Sequence, residues 1–223
     1  MTKGKIITIE GSDGSGKQTQ TGMLVKRAEK AGYEVATMSF PQYDKPTGKK
    51  ITEYLGGKFG EPSRVDPIFA SKLYAEDRVV VKEEILNKIN SGVNWILDRW
   101  MESNMGYQAA KVKEEDRIKI VDWIKQYEVE KNGLPESDFV IYLDLPVKFN
   151  QEAMEKQGRI KDGHEKNVEY LLRVESVYRW LASKNKNWKA IDCLKDSGQI
   201  RIRKTEKEIH DEIWESIKPI LTK

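Results

Sequence analysis

The chain has 223 residues, of which 39 are basic and 36 acidic, giving a formal net charge of +3. This length suits one α/β domain with a full core better than two domains of ordinary size. The two signs of charge are interleaved rather than gathered into a basic stripe, so we expect no nucleic-acid partner. Cys193 is the single cysteine, which excludes an intramolecular disulfide, and no apolar run approaches the length of a membrane span. We therefore expect a cytoplasmic protein that has no membrane partner.

The first predicted element is a buried strand over residues 5–10, because this segment is short, apolar and β-branched. A glycine-rich turn over residues 11–16 follows, and a helix then begins at Lys17 and stops near Gly32. The remaining predicted elements, in chain order, are strand 35–40, helix 66–90, strand 93–98, helices 103–111 and 114–131, strand 139–145, helix 165–184, strand 189–192 and helix 205–221. Strands that alternate with helices predict a parallel sheet covered by helices on both faces.

The turn after the first strand carries the strongest motif, G-x-x-x-x-G-K, over residues 11–17. Its glycines allow backbone N–H groups to surround phosphate oxygens, the following helix directs its positive end to the same place, and Lys17 adds a full charge. The motif indicates a P-loop that binds a nucleoside triphosphate. The residues assigned to this site are Gly11, Ser12, Asp13, Gly14, Ser15, Gly16, Lys17, Gln18 and Thr19.

One position departs from the motif, because Gln18 stands where a Ser or Thr hydroxyl usually holds Mg²⁺. We expect Thr19 to point elsewhere, so phosphate oxygens, water and Asp98 would hold the metal. Asp98 and Arg99 end the third predicted strand, where open parallel sheets bind their ligands. There, Asp98 can orient a hydrated Mg²⁺ and Arg99 can bridge the donor and acceptor phosphates; a plain surface ion pair is the alternative.

Several segments together resemble the thymidylate kinase family. They are the loop 11–17, the pair Phe40-Pro41, the helical segment 73–78, and the block 98–108, which reads DRWMESNMGYQ. The resemblance implies a single domain of the P-loop NTPase type, with a parallel five-stranded sheet and a short lid at about residues 155–166. The family usually has Tyr where this chain has Trp100.

The resemblance also implies roles for individual residues. Asp13 would bond the sugar 3′-hydroxyl of the acceptor, Tyr74 would stack on thymine, and Arg78 would donate to a base carbonyl. Asn104 would read the base edge and is expected to adapt to either base, while Tyr107 would exclude a ribose 2′-hydroxyl. The full set of expected substrate contacts is Asp13, Phe40, Pro41, Tyr74, Arg78, Arg99, Trp100, Ser103, Asn104, Tyr107 and Gln108. Core packing is an equally open interpretation of Tyr74 and Trp100.

A catalytic cation is expected from the lid. Gly14 leaves the loop without a side-chain cation, and phosphoryl transfer needs a positive charge close to the migrating group. The candidates are Lys156, Arg159 and Lys161, of which we select Arg159; a solvated basic loop is the alternative. The expected catalytic residues are thus Lys17, Arg99, Arg159 and Asp13.

The predicted reaction is transfer of the γ-phosphoryl group of ATP to dTMP, with Mg²⁺ as cofactor and dTDP and ADP as products. A kinase for another nucleoside monophosphate or a deoxynucleoside is the nearest alternative, and a non-catalytic nucleotide-binding protein is a more distant one. The family resemblance also suggests a homodimer, with the helix 66–90 partly at the interface.

Overall fold

The structure is a computed structural model that describes residues 2–149, 163–164 and 167–223. A five-stranded sheet lies at its centre, in the order β2-β3-β1-β4-β5. Every pairing in this sheet is parallel, which confirms the predicted architecture. Its strands are β1 (Ile6–Gly11), β2 (Val35–Ser39), β3 (Asn94–Asp98), β4 (Phe139–Asp144) and β5 (Trp188–Asp192).

Helices cover both faces of the sheet. In chain order they are α1 (Lys17–Lys30), α2 (Pro46–Leu55), α3 (Pro67–Val79), α4 (Lys82–Asn90), α5 (Met101–Ala109), α6 (Arg117–Lys125), α7 (Val168–Lys184) and α8 (Glu206–Ile217). Side chains of β1 enter both apolar cores: Ile6 packs with α4, α5 and α7 on one face, and Ile7 and Ile9 pack with α1 and α8 on the other. This burial on both sides explains why the central strands read as continuous apolar runs.

The predicted helix over residues 66–90 is wrong in its continuity, because the structure divides it into α3 and α4. Its start is as expected, since Asp66 Oδ1 accepts a hydrogen bond from the Phe69 N–H at 2.8 Å. The break falls in a run of three valines, whose β-branched side chains are weak helix formers. Val80 is exposed, whereas Val81 packs in the core. The helix is therefore interrupted at the point where Val81 becomes buried.

The predicted helix over residues 114–131 is also interrupted. A 3₁₀ turn, Glu114–Asp116, precedes α6, and a π-helical turn, Gln126–Lys131, follows it.

The last helix ends at Ile217, and α7 begins at Val168, where the Asn167 side chain accepts from the Tyr170 N–H. Most of the proposed lid lies outside the described residues, and its assignment stays a prediction.

Two elements were not anticipated. Helix α2 starts with Pro46 and carries Gly48 in its first turn, a residue with poor helix propensity. The second is an antiparallel hairpin formed by β6 (Leu194–Ser197) and β7 (Ile200–Arg203), with Gly198 at a positive φ of 64°. Among the described residues, none of the helices has the length and apolar character that crossing a membrane requires.

Candidate active site

The P-loop is formed by the turn between β1 and α1. Gly11, Gly14 and Gly16 have φ angles of 151°, 80° and 100°, which L-residues rarely adopt, so the turn depends on glycine at these positions. Lys17 is buried, and its ammonium group donates to the Ser12 carbonyl at 3.0 Å and lies 3.5 Å from Asp13 Oδ1. Burial and the nearby Arg99 lower the pKa of Lys17, and Asp13 and Asp98 partly oppose that shift. A bound phosphate would oppose this shift, because a nearby negative charge favours the charged form of the ammonium group.

A cleft opens over this loop and is the candidate site for the phosphate-donor nucleotide. Asp98 and Arg99 line it from the end of β3, and Gln18 and Thr19 line it from the first turn of α1. Asp98 Oδ1 is buried and has no hydrogen-bond partner among the described residues, so an acceptor is available for a hydrated cation. Gln18 and Thr19 are both exposed.

Arg203 also lines the cleft and was not anticipated from the sequence. Its Nη2 donates to the carbonyl oxygens of Gly14 and Ser15, each at 3.0 Å, and so joins the β6–β7 hairpin to the P-loop. The contact spans nearly the whole chain and connects a side chain to backbone atoms. No local sequence motif could have revealed it.

Asp13 and Arg99 form an ion pair at the rim of the loop. Arg99 Nη2 lies 2.8 Å from Asp13 Oδ1, and Arg99 Nη1 donates to Ser103 Oγ at 3.2 Å. Among the described non-glycine residues, only Arg99 has a positive φ, at 69°. The sharp turn between β3 and α5 thus directs the guanidinium back toward the P-loop. Local strain of this kind is typical of functional sites.

Glu10 holds the residues that flank Arg99 in place. Its buried carboxylate accepts from the Trp100 N–H at 3.0 Å, from Ser103 Oγ at 2.6 Å and from the Tyr178 hydroxyl at 2.8 Å. Burial raises its pKa, while Arg99 and the hydrogen bonds oppose the shift. The sequence signal, a carboxylate at the end of an otherwise apolar strand, was present but was assigned no role.

A second pocket adjoins the first and is the candidate acceptor site. It brings together Asp13 and Arg99 with every other expected substrate contact, and its lining residues are Asp13, Phe40, Pro41, Tyr43, Leu55, Tyr74, Arg78, Arg99, Trp100, Ser103, Asn104, Tyr107, Gln108 and His164. The two clefts share Asp13 and Arg99 together with the Phe40–Pro41 segment. A donor phosphate and an acceptor phosphate would therefore meet at this shared edge.

Arg78 is fully buried in the wall of this pocket. Its Nε and Nη2 each donate to the Glu128 carboxylate at 2.6 Å, and Nη1 lies 3.4 Å from the Trp100 carbonyl oxygen. Trp100 is equally buried, and its indole N–H donates to the Pro135 carbonyl at 2.9 Å. Trp100 thus both packs in the core and lines the pocket, so its two interpretations are compatible.

Two hydrogen bonds hold the Asn104 side-chain amide in one orientation. Its Nδ2 donates to the Ser71 carbonyl at 3.1 Å and to Glu128 Oε1 at 2.9 Å. Both partners can only accept, so the amide cannot rotate without losing both bonds. Its Oδ1 is buried and has no hydrogen-bond partner among the described residues, as is also true of both polar atoms of Gln108. The amide atom of Asn104 without a partner is therefore the acceptor, and the role of Asn104 at the base edge stays a prediction.

The far side of the pocket is aromatic. Tyr74 is half-buried and packs edge-on against Tyr54, with ring centroids 6.1 Å apart, and Tyr107 lies under the Arg99 guanidinium at 5.5 Å. His164 was not anticipated as a pocket residue; burial and the nearby Lys111 lower its pKa to about 3, which keeps it neutral. Arg159, Lys156 and Lys161 lie outside the described residues, so the proposed lid cation stays a prediction.

Fold and site together define a P-loop phosphotransferase with adjoining donor and acceptor clefts. A family model described as thymidylate kinase matches residues 9–202, which is most of the chain. The chain belongs to the thymidylate kinase family.

Individual relatives agree with this assignment. The chain is 30% identical over 204 residues to the thymidylate kinase of Mycobacterium tuberculosis, covering 87% of this chain and 94% of that protein. It is 27% identical over 193 residues to the thymidylate kinase of Homo sapiens, covering 86% and 84% respectively. A solved structure of thymidylate kinase from Candida albicans shares the fold, with a TM-score of 0.74 over 98% of this chain and 92% of that one at 24% identity.

Proposed function

We propose that the chain transfers the γ-phosphoryl group of ATP to dTMP and releases dTDP and ADP. The observation that carries this proposal is the shared edge of the two clefts, where Asp13 and Arg99 line both. A phosphate held by the P-loop and a phosphate on a nucleotide in the second pocket would meet there. In-line transfer then requires positioning and charge stabilisation, and no covalent intermediate.

Lys17 and Arg99 supply the fixed positive charge in this mechanism. Lys17 would leave the Ser12 carbonyl to contact the β- and γ-phosphates. Arg99 would bridge the migrating group and the acceptor phosphate, and Glu10 and Ser103 hold its backbone turn and its Nη1 in place. Arg159 is proposed to add a lid cation in the closed complex.

Mg²⁺ fits this site as a companion of the nucleotide. Among the described residues there is no cluster of three metal-ligating side chains, but Asp98 offers an unpartnered carboxylate oxygen inside the donor cleft. Asp98 would hold the ion through water, and the bound ion would neutralise charge on the phosphates. Gln18 lines the same cleft and is exposed, and we propose that Asp98 rather than Gln18 holds the ion.

The acceptor pocket suits a pyrimidine deoxynucleotide. Tyr74 offers an aromatic face for the base, Asp13 an acceptor for the 3′-hydroxyl, and Tyr107 fills the space near the sugar. We propose that dTMP is preferred strongly over dCMP, weakly over dUMP, which lacks only a methyl group, and strongly over UMP.

A coupled assay of ADP release tests the proposal. ATP is supplied with dTMP, dUMP, dCMP, UMP or a deoxynucleoside, and with no acceptor. Turnover that depends on dTMP supports the proposed reaction. Equal or faster turnover with another acceptor would favour a different nucleotide kinase, and binding of ATP without acceptor-dependent turnover would favour a non-catalytic protein.

A further inference from the structure

Glu128 lies behind the acceptor pocket and contacts both side chains proposed to read the base. It is 1% exposed and belongs to the π-helical turn Gln126–Lys131 that extends α6. Its two carboxylate oxygens accept three hydrogen bonds, from Arg78 Nε and Nη2 at 2.6 Å each and from Asn104 Nδ2 at 2.9 Å. Such bidentate charged pairs combine strength with fixed geometry.

These bonds determine which atoms remain available on Arg78. The guanidinium group can only donate, and Glu128 uses Nε and Nη2. Nη1 has only a long contact of 3.4 Å to the Trp100 carbonyl oxygen. A donor on Nη1 is therefore left at the wall of the pocket that Arg78 lines.

Glu128 has the opposite consequence for Asn104. Glu128 Oε1 and the Ser71 carbonyl occupy both hydrogens of Nδ2, so Oδ1 is the amide atom left over. Oδ1 is buried without a hydrogen-bond partner among the described residues, and Asn104 lines the same pocket. The Glu128 carboxylate therefore leaves Arg78 with a donor and Asn104 with an acceptor.

We infer that Glu128 is a positioning residue that sets the hydrogen-bond polarity of the acceptor pocket for an imide edge. This inference rests on the proposed function. Thymine and uracil present a carbonyl oxygen at position 4 and an N–H at position 3, which match the Arg78 donor and the Asn104 acceptor. Cytosine presents an amino group and a bare nitrogen at these positions, so both contacts are reversed. A buried polar group that faces a group of the same kind loses its hydrogen bond and is strongly disfavoured.

Glu128→Gln tests this role, with kcat and KM measured for dTMP and dCMP. The introduced amide retains the shape but offers one acceptor and one donor in place of two acceptors. Asn104 can then rotate and direct its Nδ2 into the pocket. We expect the ratio of kcat/KM for dTMP to that for dCMP to fall at least about tenfold, mainly through a higher KM for dTMP.

Two further variants separate positioning from a general structural effect. Glu128→Asp retains the two acceptor oxygens, so it should preserve the dTMP to dCMP ratio even if both rates decline. Glu102→Gln is the matched control. Glu102 is also a buried glutamate, but it lies on α5 and does not line the acceptor pocket. It should leave the ratio unchanged.

The outcomes are distinguishable. A folded Glu128→Gln protein that retains the parent ratio, or that loses both activities in equal proportion, overturns the positioning role. Absence of dTMP turnover in the parent enzyme would instead overturn the proposed function. If Glu128→Gln does not fold, binding to the parent enzyme decides, with dTMP compared to its 3-deaza analogue, which has C–H in place of N3–H. At least about tenfold weaker binding of the analogue supports the inference, and equal binding refutes it.

Discussion

Arg99 combines a strained backbone with the most central position in the site. Its φ of 69° places a non-glycine residue in the left-handed region, and its side chain lies at the edge shared by the two clefts. The strain is maintained by neighbours, since the Arg99 N–H donates to the Ile9 carbonyl at 3.1 Å and Glu10 binds the next backbone N–H. We therefore expect the backbone conformation of Arg99 to affect the stability of the protein, and its side chain to affect catalysis.

Replacing Arg99 by Gly and by Ala tests this separation. Both variants should lose roughly 10²–10³-fold in kcat, because both remove the guanidinium from the migrating phosphoryl group. Arg99→Gly should be the more stable of the two by up to about 1 kcal/mol, because only glycine adopts a positive φ without a Cβ clash. Steady-state kinetics and urea unfolding provide the two measurements, and near-parent kcat in either variant would remove Arg99 from the mechanism.

Glu102 gives the protein a pH-dependent stability. Burial, reinforced by the nearby Glu10, raises the pKa of its carboxyl group from 4.5 to about 8. Between these values the folded state retains a proton that the unfolded state has lost. The contribution of Glu102 to stability is therefore fully present below about pH 4.5 and is lost as the pH rises through 8.

Glu102→Gln should remove this dependence, because an amide stays neutral at every pH. Relative to the variant, the parent protein should lose stability between pH 5 and pH 8, with a slope of up to about 1.4 kcal/mol per pH unit. Urea unfolding of both proteins at several pH values measures the difference. A constant difference across this range would show that Glu102 ionises normally in the folded state.

The sequence correctly predicted the positions of the P-loop turn and of the Asp98-Arg99 strand end, while their roles in function stay predictions. The P-loop and the Asp98-Arg99 strand end are contiguous motifs whose geometry follows from a few neighbouring residues. Arg78 and Glu128 are 50 residues apart, and their pairing depends on how α3 packs against the turn after α6. The orientation of the Asn104 amide depends on the same packing, so it could not be read from residue type.

Helix α2 and the β6–β7 hairpin also differ in whether the local sequence or the packing of the chain determines them. Helix α2 was missed because Gly48 weakens its first turn; a Cβ there would meet the Gln42 carbonyl oxygen at 1.9 Å, so close packing requires the glycine. The β6–β7 hairpin did carry a local signal. Gly198 lies between two short runs, and Ile200 and Ile202 alternate with basic residues.

The hairpin has a testable role in holding the P-loop. Arg203→Ala removes its bonds to the Gly14 and Ser15 carbonyls. We expect the KM for ATP to rise roughly tenfold, the scale on which hydrogen bonds to a charged group contribute, with a smaller effect on the KM for dTMP. Arg201→Ala is the matched control, since Arg201 lies on the same strand but pairs with Asp192. If both variants raised the KM for ATP equally, Arg203 would only stabilise the hairpin and would have no specific role at the P-loop.

Apolar side chains are exposed along and beside α3. Phe69 is 41% exposed and packs edge-on against Phe59, and Val80, at the far end of the helix, is 57% exposed. Large exposed apolar groups that cluster in this way mark interaction surfaces. They support the proposal that α3 lies in a homodimer interface.

Phe69→Glu tests that proposal. Residue 69 lies in the first turn of α3, where a negative charge interacts favourably with the helix dipole, so the fold of the subunit should be retained. Light scattering of the parent protein should give twice the subunit mass at micromolar concentration, and the variant should dissociate to the single subunit. A parent protein that is monomeric at these concentrations, or a variant that stays dimeric, contradicts the proposal.

The strand order also has a consequence for the growing polypeptide. Strand β1 emerges first from the ribosome, but its partners come much later, with Ile6 pairing with Trp95 and Ile7 with Phe139. The P-loop at the end of β1 is therefore not flanked by strands on both sides until β4, which lies beyond the middle of the 223 residues, has been synthesised. Arg203, which fixes the outer side of the loop, emerges later still. We therefore expect stable nucleotide binding to follow the synthesis of β3, β4 and Arg203, so that the nucleotides would bind after the sheet has formed rather than guide its early folding.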